Sequence, residues 1–256
     1  MASILDKYGI KEVADCTFYK IDSNGNPAEP VLYLDTLKVS TIEQTAENVE
    51  AKGGKGNASL ISWDYGKEIT VTLEDALFSA KSMAIMFGNG EVGTSLSTLK
   101  KTIQWTATSS STDATAAGQP STFELNNKTY SIASVGGTDL VNYTEANASA
   151  TTYEAGKKYY ATFSYNITNQ GVIEISANSF PGSYYVTGDT FARSETTGAD
   201  EFFQFIIPKA KVQSENTITL EAEGDPSTFN MSLRVLRPAD GKMMKLVKYD
   251  ILVGEG

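Results

Sequence analysis

Pairs of carboxylates are the residues in this chain whose type and spacing could break a bond. Glu68 with Glu74 or Asp75, and Glu221 with Glu223, offer the two acids that a glycosidase divides between its catalytic roles. Their surroundings argue the other way. Each falls on the polar side of an alternating strand or in the expected first turn of a helix, where solvated acids belong, and nothing nearby in sequence would raise a pKa. Other chemistries fail on composition. With no histidine and one cysteine, Cys16, the chain lacks Ser-His-Asp and Cys-His nucleophiles, imidazole bases and Cys/His zinc sites. The run Gly53-Gly54-Lys55-Gly56 has no Lys-Ser/Thr pair opening a helix behind it, as a phosphate-binding loop would. The string from Asp22 to Asn26 lacks the distal glutamate of a calcium loop and reads as a turn. No enzymatic activity, cofactor or metal is expected.

Charge narrows the partners. Against 21 basic residues stand 31 acidic ones, for a net charge of −10 and a pI near 4.6. That is the wrong sign for gripping nucleic-acid phosphates. An acidic surface repels DNA, which is useful where DNA must slide past without sticking. The opening residues, MASILDKYGIKEVAD, carry charges throughout and hold no apolar run of signal-peptide or membrane-span length. A cytoplasmic site of synthesis and no membrane insertion are therefore expected. One cysteine allows no internal disulfide, and its place in CTFYK suggests a small buried side chain.

The elements that must carry these residues are mostly strands. Ile69, Val71 and Leu73 alternate with Glu68, Thr70, Thr72 and Glu74 at the two-residue period of a half-buried strand. Ile218, Leu220 and Ala222 repeat the pattern with Thr217, Thr219, Glu221 and Glu223, and Gly224-Asp225-Pro226 predicts a turn into a partner strand over 229–235. Between Glu43 and Asn57 there is almost no apolar residue, so Glu43, Glu47, Glu50, Lys52, Gly53, Gly54, Lys55, Gly56 and Asn57 read as one long surface loop. A helix is predicted from the Leu77, Ala80, Ala84 and Phe87 stripe, with Asp75 in its first turn and Gly88 ending it. Upstream, Cys16 to Ile21 and Val31 to Val39 form a hairpin about Asn24-Gly25, with Pro27 and Pro30 stiffening the exit. The segment SSSTDATAAGQPST reads as a low-complexity linker, followed by short Thr/Tyr-rich strands. Tyr159, Tyr160 and Tyr165 offer a stacking platform for sugars or bases, although tyrosine is also a common strand residue. The expected organisation is a core in two parts, 1–108 and 183–256, around an inserted β region at 109–182.

Two stretches carry a family resemblance: GGKGNASLISWDYGKEITVTLEDALFSAKSMAIMFG and TGADEFFQFIIPKAKVQSENTITLEAEGDPSTFNMSLRVLRP. In wording and order they resemble the tail tube (major tail) proteins of long-tailed bacteriophages, over about residues 12–105 and 184–252. The resemblance implies a mainly β fold: a tail-tube-like β-sandwich or barrel with one flanking α-helix, a long inter-ring loop and an inserted β-rich middle region. It implies a virion protein made in a bacterial host's cytoplasm that assembles with copies of itself into stacked hexameric rings. Further implied partners are other tail proteins such as sheath, terminator or baseplate, with DNA as non-specifically transported cargo. In this sequence the inter-ring role falls to 43–57. The lumen face falls to Glu68, Thr70, Thr72 and Glu74 with Thr217, Thr219, Glu221 and Glu223. Two other readings stay open: a β-rich carbohydrate-binding adhesin that uses the tyrosine-rich middle, and another virion component such as a baseplate or decoration protein.

Overall fold

The alternation about Val71 seeds a nine-stranded antiparallel sheet in the computed structural model, which describes residues 7–249 apart from Asn89, Asn147, Asn169 and 219–227. In chain order the elements are β1 (Tyr8–Ile10), β2 (Asp15–Ile21), β3 (Pro27–Leu34), β4 (Leu37–Gly53), β5 (Ala58–Asp75), α1 (Ala80–Phe87), β6 (Thr98–Thr106) and β7 (Thr122–Leu125). They continue as β8 (Lys128–Ser131), β9 (Thr138–Thr144), β10 (Lys158–Asn166), β11 (Ser183–Ser194), β12 (Asp200–Val212), β13 (Phe229–Val235) and β14 (Lys245–Tyr249). The chain divides into two compact units: Gly93–Val172, and the sequence on either side of it.

In the larger unit the strand order is β3-β2-β11-β12-β13-β5-β4, with β1 added to β11 and β14 to β12. Its two end strands are joined by only Asp35 and Thr36. Laid flat, seven strands would hold β3 and β4 about 29 Å apart at a spacing of ~4.8 Å, whereas the link from Leu34 to Leu37 reaches about 11 Å. The sheet must therefore roll. Phe18, Val71, Leu73, Val186, Ile207, Val212 and Leu233 fill the inside of the roll, and Ile85 of α1 is fully buried against them. The mainly β fold with one flanking helix stands as expected.

Local chemistry explains the joints. Asp22 accepts from the backbone N–H groups of Asn24 (2.9 Å) and Asn26 (2.7 Å), and Gly25 supplies a φ of 84°, so the β2–β3 turn is closed by its own carboxylate. Those bonds hold the Asp22 carboxyl below its ordinary range. Pro27 and Pro30 lie within β3, which tolerates them because it is an end strand. Asp75 does not open the helix. It ends β5, is buried, and accepts from Thr36 Oγ1 (2.6 Å) and Leu77 N (3.1 Å), clipping the β3–β4 link to β5. The helix begins later, at a capping box in which Ser79 and Ser82 exchange hydrogen bonds. Gly88 closes it with a bond to Ala84 O, while Leu77 and Phe78 stay exposed ahead of it.

The smaller unit holds a three-stranded sheet, β6-β10-β9, and the β7–β8 hairpin. Trp105, Tyr153 and Tyr159 form one of its cores; Phe123, Ile132 and Phe163 form another. Its limits fall at 93 and 172 where the sequence had placed 109 and 182. The strand expected to end the first core part is β6, which pairs along its whole length with β10. The expected linker is packed: Ala117 is fully buried and its carbonyl accepts from Thr108 N at 2.8 Å. Small residues that looked like spacer pack into the cluster that holds Trp105.

Candidate assembly surface

Beyond Glu68 the β4–β5 hairpin leaves the core. Strand β4 continues to Gly53 and β5 starts at Ala58, so only Gly54 to Asn57 form the turn. The loop expected over 43–57 is thus mainly strand. Its polar sequence hid this, because backbone pairing with β5, rather than a buried face, makes it a strand. At the tip, φ values of 79°, 86° and 50° at Gly54, Gly56 and Asn57 close the turn, with Asn57 N donating to Gly54 O. Glu43, Glu47, Glu50, Lys52 and Lys55 are all exposed, and Lys52 pairs with Glu50 at 3.1 Å.

A bulge decides what this arm presents. Thr45 pairs with Glu68 and Glu47 with Tyr65, so β5 spends one more residue than β4 across Gly66, whose φ is 64°. Ile61, Trp63 and Tyr65 share odd numbering with Ile69, Val71 and Leu73. The extra residue turns them to the opposite face. They lie with Glu47, Val49 and Ala51 on the side that continues the polar face of the roll, and Val49, Ile61, Trp63 and Tyr65 are each more than half exposed. An exposed apolar stripe on a two-stranded ribbon is unusual for a protein surface that stays in water.

The candidate lumen residues are placed as follows. Glu68, Thr70, Thr72 and Glu74 share one face of β5, with Ile69, Val71 and Leu73 buried behind. Thr41, Glu43 and Thr45 of β4 and Asn230, Ser232 and Arg234 of β13 extend that face by register. Arg234, which sequence reasoning did not assign to it, forms an ion pair with Glu68. Thr217 is exposed and lies outside any strand. Thr219, Glu221 and Glu223, with the expected turn after them, lie outside the described residues. Among the described strands β13 pairs with β5 and β12.

Among the described residues, Glu68, Glu74 and Asp75 are not arranged as a pair for glycoside cleavage. Glu68 and Glu74 are six residues apart on one strand, about 20 Å at 3.3 Å per residue, well beyond the ~5–9.5 Å of a catalytic pair. Asp75 faces the opposite way and is held by Thr36. No group of three or more metal-ligating side chains occurs among the described residues. The tyrosine platform also separates. Tyr159 is buried against Trp105, Tyr160 faces outward by alternation, and Tyr165 packs on Phe123.

One further surface had no clear sequence signal. Phe191 of β11, Phe202 of β12 and Tyr249 of β14 stand in one register row, with Phe202 and Tyr249 stacked at 5.7 Å. Phe191 and Phe202 are exposed. Beside them Arg193 holds Asp200 in a bidentate pair at 2.7 and 2.9 Å, which keeps the Asp200 carboxyl below its ordinary range. A cavity of about 220 Å³ opens there, lined by Gly9, Lys11, Glu12, Phe191, Arg193 and Asp200.

Comparison with known proteins adds one match. A family model described as the YomU/Tube protein family aligns with residues 8–248. No curated protein matches the chain.

Proposed function

The chain belongs to the YomU/Tube protein family, a phage tail-tube family, and from that premise we propose that it forms the tail tube by stacking rings of itself, hexameric by the resemblance, around a DNA conduit. It is a structural component of a virion tail, and no helix among the described residues is long and apolar enough to cross a membrane. The observation that carries the finer reading is the arm: an exposed ribbon with Val49, Ile61, Trp63 and Tyr65 on one face. A free edge and an apolar face of this kind invite pairing with another chain. In the tube the residues 43–57 reach the neighbouring ring, and the Glu68–Glu74 face borders the bore, where carboxylates and threonine hydroxyls keep DNA phosphates from adhering. Other tail proteins, such as sheath, terminator or baseplate, are its further partners.

Purified protein imaged by negative-stain microscopy tests this. Rings or tubes support the reading; a persistent monomer at tens of micromolar refutes it. Replacing Glu74 by lysine should leave tubes intact and slow DNA delivery by reconstituted virions, and unchanged delivery removes that face from the bore.

A further inference from the structure

The arm needs a seat, and the larger unit carries one. We propose that Trp63 on the arm of one copy inserts into the cavity beside Phe191 and Arg193 of a second copy. This rests on the tube reading and names the surface the arm would use.

Four features fit the two surfaces together. The cavity, at about 220 Å³, is below the ~300–1,000 Å³ of small-molecule sites and suits one large side chain. Its walls are an exposed phenyl ring and a guanidinium whose plane is fixed by the bidentate bond to Asp200. An indole takes both, by stacking on the ring and by cation–π attraction to the arginine. Charge gives one pairing: Glu47 stands on the Trp63 face of the arm, Lys11 lines the cavity beside Glu12, and neither Glu47 nor Lys11 has an ion-pair partner among the described residues. Finally, the row of Phe202 and Tyr249 continues the apolar surface away from the cavity on one side, so that one of the two residues flanking Trp63, Ile61 or Tyr65, has rings to lie against.

The geometry of association follows. Arm and cavity are different patches of one chain, and in the tube reading each copy gives its arm to one neighbour and its cavity to another, a heterologous contact; two copies exchanging arms reciprocally would close a dimer. Heterologous contacts propagate into rings or filaments. Two arms pairing face to face would likewise close a dimer.

Trp63→Ala and Phe191→Ala separate these cases. Both side chains are exposed, so each variant should melt with the wild type. Each should raise the protein concentration needed for assembly about 30-fold or more, as loss of a buried aromatic anchor does. Mixed together, they should form pairs that do not elongate, because one retains a working arm and the other a working cavity. A second test mixes Val49→Cys with Gly9→Cys protein under oxidation. Val49 pairs with Trp63 across the arm, Gly9 lines the cavity with open space around an added Cβ, and Cys16 is buried. A covalent heterodimer is expected from the mixture and not from either protein incubated with wild type. If Trp63→Ala assembles like wild type and no cross-link forms, this docking site is wrong while the tube reading stands. Wild-type protein that does not assemble, together with a Val49→Cys and Gly9→Cys mixture that does not cross-link, overturns both.

Discussion

Cys16 shows how one residue reads in both directions. Burial, with Asp15 and Asp189 nearby, pushes its thiol up to about 12 from an ordinary 9.0. The folded state therefore keeps a proton that the unfolded state releases, and the stability this provides is complete below about pH 9 and is lost as pH rises toward 12. Denaturant melts at pH 8 and 11 should show the loss, and a Cys16→Ala variant should show a smaller one. A thiol reagent should label Cys16 only on unfolding. Burial of Cys16 was legible from its place among alternating apolar residues. Gly188 was not. It pairs across with Phe205, and an added Cβ would fall on that buried ring. Gly188→Ala should cost about 1–3 kcal/mol or more by overpacking, read as a lower denaturation midpoint. Its partner lies seventeen positions away, and only the strand pairing brings the ring over the glycine.

The arm is the element whose nature the sequence concealed. The apolar periods of β5 and of the strand at 229–235 were plain in the residue pattern, although the turn signal at 224–226 paired the latter with 217–223 and not with β5; β4 beyond Glu43 has no greasy face to announce a strand. Nor does a two-residue period reveal a bulge: Gly66 is one glycine in DYGKE, yet it reverses the face that Trp63 presents. Replacing it with valine forces an L residue into a left-handed conformation at about 1–2 kcal/mol, and should loosen the arm while leaving the roll intact. Amide exchange is the measure. Arm amides should exchange faster than those of β11 and β12 in the monomer, faster still in Gly66→Val, and become protected on assembly. Equal protection of arm and roll in the monomer would show that the arm is not an independent ribbon.

At the scale of the whole molecule, the rolled sheet follows from two facts: the order of its strands and the brevity of the β3–β4 link. Strand alternation could suggest a sandwich or barrel, but order depends on long-range pairing that no local pattern encodes. The inserted unit was visible as a change of composition, and its limits were misplaced because β6 alternates like the core strands around it. Gly93 and Val172 exchange two hydrogen bonds of 2.8 Å, so the chain enters and leaves this unit at adjacent points. Replacing 94–171 with a short Gly/Ser linker should leave the larger unit folded and able to assemble; an insoluble product would show that the units depend on each other. The central claim is that copies join through the arm. The most direct measurement compares negative-stain images of the wild-type protein and a variant with 47–65 replaced by a tight turn, both confirmed as folded. The account predicts stacked rings from the first and single particles from the second. Tubes from the armless protein, or none from the intact one, would contradict it.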